Sequence, residues 1–363
     1  MAHMKNIYVA ATGQHVGKTT STLGIAAVLM EKGYKVGYCK PVGQQALDFH
    51  FMKVDKDAIL FSDLLGFNLD PALHSPIILD KGATTRFLDN ESNIDVLSPI
   101  YQSAETLASD YEIVIYEGTG HPGVGYIAHI SNADVARMVN AEVILVVEGG
   151  IGNTIDRLDL CLPIFEEQGV QIAGVIVNKV FPDKIEKIKH YVGKKLEAMG
   201  LTLLGVLPYD KSLAYPTMET IADAIRGVVS YNSEFLDNKV EDIIAGSLVE
   251  VDELKNSQNL LLVVSSQRVL EAIRKIEYIS TLLEIKGTPL AGIVATGPGI
   301  IEEDAIMYIK KNNIPLVRTA LDTYGSVIKI SKIEVKINRS TPWKVKKAIE
   351  LVKENISMDL LLK

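Results

Sequence analysis

The chain has 363 residues, 47% of them hydrophobic and 23% charged, with a formal net charge of −8. That length exceeds the ~250–300 residues at which a single core stops growing, so two domains are expected. The acidic balance argues against a sequence-independent nucleic-acid binder, and no run approaches the ~18 apolar residues of a membrane span.

The first three residues read as a cloning remnant, with Met4 the expected start, and no signal peptide follows. From there to about residue 225, apolar runs alternate with helical stretches. NIYVAA, KVGYCKPV, YEIVIYEG, AEVILVVEGG and QIAGVIVNKV are the runs, each bounded by glycine or charge. Strands buried on both faces have this pattern, which belongs to parallel sheets covered by helices. Helices are predicted over 18–32, in PIYQSAETLAS and in IEKIKHYVGKKLEAMG. The alternation implies right-handed crossovers and a doubly wound α/β sheet, with ligands at the carboxyl ends of the strands.

The polar stretch VVSYNSEFLDNKVED breaks this rhythm, and a second, smaller α/β domain is expected after it. Its elements are NLLLVVSS, a helix near 267–285, PLAGIVATG, a helix near 302–312, IPLVRTA, and further elements at 322–337 and 343–355. The domains are expected at 4–228 and 232–360, with the boundary near residue 230. Cys39 and Cys161 are too few for a disulfide framework or a zinc site, and a cytoplasmic location is expected.

The first strand runs into AATGQHVGKTT, residues 10–20. Strand before, helix after and Gly-Lys-Thr at the junction make the context of a phosphate loop. Consecutive backbone N–H groups turn inward at a helix N-terminus, where the dipole also favours anions. Gly17 lets the backbone approach the phosphates, Lys18 reaches the β/γ oxygens, and the Thr19 hydroxyl is a Mg²⁺ ligand. Gly13, Gln14, His15, Val16 and Thr20 complete the loop. The first glycine of the usual spacing is replaced by Thr12, which affects mainly the entry turn.

A Mg²⁺ site needs one or two carboxylates, with water and phosphate supplying the rest. Glu117 ends a strand at the ligand end of the sheet and is either such a ligand or a solvated strand-end acid. Asp57 by itself reads as a first-turn helix acid. Lys40, before a proline that enforces an extended exit, is either a phosphate or carboxylate binder or a surface lysine. Asn178 ends a strand and either presents its amide to a base or caps a turn. His15 and His121 lie in the loops and read as solvated rather than catalytic.

These stretches together (ATGQHVGKTT, CKPV, KDAILFSDLLG, YEGTG, GVIVNKV and LLGVLP) resemble dethiobiotin synthetase and its relatives over the first ~225 residues. The relatives include the ATP-binding part of cobyrinic acid amide synthases and the N-terminal segment of long phosphotransacetylases. The resemblance implies a P-loop NTPase-like fold that uses ATP and Mg²⁺. It makes Thr19, Asp57 and Glu117 the metal ligands, and gives Lys18 and Lys40 the catalytic work on phosphate and the reacting acyl group. Asn178, with the turn at Leu207 and Pro208, would hold adenine. A homodimer is expected on the same ground. Residues 231–350 resemble the DRTGG domain of phosphotransacetylases, although the namesake motif is absent. SSQRVLEAI stands there and keeps at most Arg268. The chain ends at Lys363, and no phosphotransacetylase domain is expected to follow.

Two functions remain open. The first is a nucleotide-dependent regulator or sensor with slow ATP hydrolysis, favoured by the pairing with a second α/β module. The second is an ATP-dependent ligase acting on a small carboxylate. A glutamine-fed amide synthase is disfavoured, because it needs a nucleophilic cysteine in its second domain and none follows Cys161. The expected partners are a nucleotide and a small carboxylate, with neither nucleic acid nor membrane.

Overall fold

Hydrophobic runs long enough to be covered on both faces become the central strands of the structure. The computed structural model describes residues 5–49, 52–79, 82–90, 94–255, 258–333 and 335–362. The expected start at Met4 lies outside them. Two compact units emerge, one formed by Met1–Asp210 with Ile337–Lys363 and the other by Lys211–Lys336.

In the first unit β1 (Lys5–Ala11) leads through the phosphate loop into α1 (Lys18–Glu31). Next come β2 (Val36–Cys39), α2 (Lys56–Leu65), α3 (Leu97–Asp110), β3 (Ile113–Glu117) and β4 (Glu142–Glu148). Then follow α4 (Gly152–Glu167), β5 (Ile172–Val180), α5 (Ile185–Ala198) and β6 (Leu203–Pro208). The sheet order is β6-β5-β4-β1-β3-β2, and every pairing is parallel. This is the doubly wound sheet that the alternation predicts. The chain leaves β1 for β2 and β3 on one side, then crosses to β4 on the other. The loop after β1 therefore opens at the switch point, where ligands of such sheets bind.

Alternate residues of each strand feed opposite cores. Tyr8, Val114, Val143 and Val175 face Leu107 of α3, Phe165 of α4 and Val192 of α5. Ile7, Ile115, Ile144 and Ile176 face Leu23 of α1 and Phe61 of α2. Each such side chain contributes about 1.5–3 kcal/mol by leaving water, which makes the strand register costly to shift.

The second unit begins earlier than the sequence implies. A helix, Met218–Ala224, and a strand, β7 (Val228–Tyr231), precede β8 (Asp242–Ala245), β9 (Leu260–Ser265), β10 (Leu290–Thr296) and β11 (Leu316–Thr319). The order is β7-β11-β10-β9-β8, with β7 antiparallel on the edge and the others parallel. Met218, Ile221 and Ile225 pack under Leu261, Val263 and Val294. Burial of these side chains is why 211–231 belongs here rather than to the 4–228 domain. The helices expected near 267–285 and 302–312 span Val269–Leu282 and Glu303–Lys311.

The other departure is at the C-terminus. The helix Pro342–Asn355 belongs to the first unit, not to a 232–360 domain. Its Ala348 and Val352 join the core that contains Leu23 and Ile25 of α1. Gly24 makes this approach possible, since a Cβ built there would stand 2.2 Å from Val352 Cβ. Gly24→Val should cost about 3 kcal/mol through overpacking. Thermal denaturation reads the loss, and proteolysis should then release the C-terminal helix first. No helix among the described residues is long and apolar enough to cross a membrane.

Candidate functional site

The phosphate loop leaves β1 with Thr12 N–H bonded to Val146 O of β4 at 3.0 Å. Gly17 adopts a left-handed φ of 107°, which turns the chain into α1. Asn178, at the end of β5, lies beneath it and donates Nδ2 to Val16 O at 2.7 Å. A Cβ on Gly17 would stand 1.9 Å from that Nδ2, so both the conformation and the space demand glycine. The Asn178 Oδ1 accepts from Lys179 N at 2.8 Å. The amide therefore braces the loop from beneath. Pro208 closes β6, and Gln14 and His15 are exposed on the loop, with His15 at φ 56°.

The candidate metal and phosphate residues converge. Thr19 Oγ1 donates to Glu117 Oε1 at 3.0 Å. Lys40 Nζ bonds the same oxygen at 2.9 Å and Asp57 Oδ2 at 2.7 Å. Lys18 Nζ lies 2.7 Å from Gly120 O and 3.4 Å from Gly13 O. Lys40 is thus no surface lysine, and Glu117, only 1% exposed, is no solvated strand-end acid. Burial pushes the Glu117 carboxyl above the usual range, with Lys40 pulling it back and Asp57 adding to the rise. Burial would lower the Lys40 pKa, but Asp57, Glu117 and Asp55 outweigh it and hold the ammonium above the ordinary lysine value.

The donor set suits a hard cation. Glu117 Oε2 is buried and has no hydrogen-bond partner among the described residues. Two carboxylates and a hydroxyl are what Mg²⁺ takes from a protein when phosphate and water supply the rest. Among the described residues there is no cluster of three or more His, Cys, Asp or Glu side chains fit for a metal held by protein alone.

Two positioning residues escaped the sequence reading. Asp55 caps α2, accepting from Asp57 N at 3.0 Å, and its other oxygen accepts from Gln44 N at 2.9 Å and Gln45 N at 3.0 Å. An aspartate just before a helix is an N-cap signal that could have found it. Asn132, 4% exposed, donates to Thr119 O and His121 O and accepts from Tyr8 Oη and Thr119 N. It fixes the loop whose Gly120 carbonyl meets Lys18, and no local sequence pattern marks it. Asn132→Ala should cost about 2 kcal/mol by orphaning buried partners. Chemical denaturation measures the cost, and it should be accompanied by weaker nucleotide binding.

His121 is exposed, and its Nδ1 accepts from Gly123 N at 3.2 Å. It lines a cavity of about 250 Å³ with Gln44, Leu79, Thr84, Tyr126 and Ile127. Arg268 is exposed before the helix Val269–Leu282 of the second unit.

Relatives share this chain's sequence to different extents. Probable cobyric acid synthase of Methanosphaera stadtmanae is 30% identical over 239 residues, covering 59% of this chain and 46% of that protein. Phosphate acetyltransferase of Synechocystis sp. is 22% identical over 373 residues, covering 98% of this chain and 51% of that protein. ATP-dependent dethiobiotin synthetase BioD of Clostridium acetobutylicum is 26% identical over 215 residues, covering 57% and 87%. The chain spans about half the length of the first two. A family profile described as an AAA domain matches residues 5–217, more than half of the sequence. Joined to a phosphate loop at the switch point of a parallel sheet, that match means that the chain belongs to this AAA domain family.

Proposed function

We propose that this chain binds ATP with Mg²⁺ and acts as a nucleotide-dependent regulator or sensor with slow hydrolysis. The observation that carries the binding half is the convergence of Lys18, Thr19 and Glu117 on a loop shaped by Gly17. The loop amides and Lys18 hold the polyphosphate, while Thr19, Asp57 and Glu117 hold the cation. When bound, Mg²⁺ would neutralise phosphate charge and orient the terminal phosphoryl group. Lys40 then exchanges one of its carboxylates for phosphate oxygen, so occupancy is coupled to a local rearrangement. Asn178 and Pro208 are the residues assigned to the adenine side.

The regulatory half is supported by the alignment with phosphate acetyltransferase, which covers 98% of this chain and so runs through both units, whereas that with dethiobiotin synthetase covers 57% of it. A synthetase chemistry has no need of the second sheet, which we assign to a degenerate DRTGG-type module. The ligase reading keeps one specific support, the cavity beside His121 and Gln44, which has room for a small carboxylate. Homodimerisation and a cytoplasmic location complete the proposal.

The test is ADP release from Mg²⁺-ATP with and without bicarbonate and a diamino carboxylic acid. A slow rate that these substrates leave unchanged is expected. Stimulated turnover would overturn the regulator in favour of the ligase.

A further inference from the structure

The phosphate loop has a second cation beside it, supplied by α4. Asn153, Arg157 and Cys161 recur every four residues on that helix and so share one face. That face lies along the entry of the loop. Cys161 Sγ is 4.0 Å from Thr12 O, and a Cβ built on Gly13 would stand 3.5 Å from Arg157 Nη1. The guanidinium therefore lies within van der Waals reach of the loop at Gly13. Arg157 Nε donates to Asn153 Oδ1 at 3.1 Å, which orients the guanidinium plane. None of the ion pairs among the described residues involves Arg157.

The position along the loop matters. Lys18 Nζ lies 3.4 Å from Gly13 O, and the lysine of a phosphate loop serves the β and γ oxygens. Gly13 is thus at the terminal-phosphate end, and so is the guanidinium beside it. We propose that Arg157 binds the terminal phosphoryl group and makes this site select a nucleoside triphosphate over a diphosphate. This rests on the reading of the loop as an ATP site. A planar guanidinium forms two parallel bonds to phosphate oxygens, and it stays charged at any working pH. A diphosphate has no group at that point, so its affinity does not depend on the residue.

The test is titration of ATP and of ADP, each with Mg²⁺, into the full-length wild type and into Arg157→Ala, Arg157→Gln and Arg157→Lys. Removing the charge should weaken ATP by about tenfold and move ADP by less than about twofold, with lysine restoring part of the loss. Glutamine keeps much of the side chain's packing if alanine perturbs the fold. Equal losses for both nucleotides would make Arg157 a structural support and overturn the inference, as would an unchanged ATP-to-ADP ratio. A wild type that binds neither nucleotide would overturn the ATP site itself.

Discussion

Lys18→Ala should weaken ATP binding by about 100-fold, the loss of charge-assisted bonds to two phosphates, whereas His15→Ala should change it by less than about threefold. The two side chains are three residues apart on one loop but face different surroundings. Lys18 Nζ is held at 2.7 Å from Gly120 O, where the loops after β1 and β3 meet. His15 is exposed at the loop's outer turn. Calorimetric titration of both variants measures the contrast. Equal losses would mean that the loop grips its ligand by some other set of groups.

Lys40→Ala should have the largest effect on stability, about 3–5 kcal/mol, because it removes the ammonium that pairs with the buried Glu117 carboxylate and with half-buried Asp57. Glu117 is 1% exposed, and Lys40 is the charge that compensates its burial together with that of Asp57. The pH dependence has a definite sign. Burial raises the Glu117 pKa and Lys40 lowers it, so removing the lysine raises it further. A carboxyl whose pKa is higher folded than unfolded contributes stability at low pH and loses it as pH rises through the folded value. The deficit of Lys40→Ala should therefore be smaller at pH 5 than at pH 8. Chemical denaturation at the two pH values reads it, and Lys40→Ala with Glu117→Gln should recover part of the loss. A deficit that grows as pH falls would contradict the account of the cluster.

The parts legible in the sequence are those fixed by local chemistry. Runs such as AEVILVVEGG are apolar at every position because the strand is buried on both faces, so the parallel sheet follows from composition alone. Gly17, Lys18 and Thr19 are contiguous, and their meaning depends only on the strand before and the helix after. Glu117 and Lys40 could be placed at strand ends, yet nothing local tells a buried, paired side chain from a solvated one. Asn132 was invisible for the same reason, since its four bonds reach across 11 to 124 positions. The return of the helix Pro342–Asn355 to α1 was also unreadable. An apolar helical face states that it needs a partner, not which one, and the decisive residue is a glycine over 300 positions away. The antiparallel edge strand Val228–Tyr231 shows the converse. A polar, broken stretch looks like a linker until its pairing with Leu316–Thr319 is known.

The most direct measurement is a crystal structure grown with a non-hydrolysable ATP analogue and Mg²⁺. It should show the phosphates on the amides of residues 13–19, the cation on Thr19 and Glu117, and the Lys40 ammonium withdrawn from at least one of its two carboxylates. Analogue bound elsewhere, or a loop still filled by the contacts of Lys18 with Gly13 and Gly120, would contradict it.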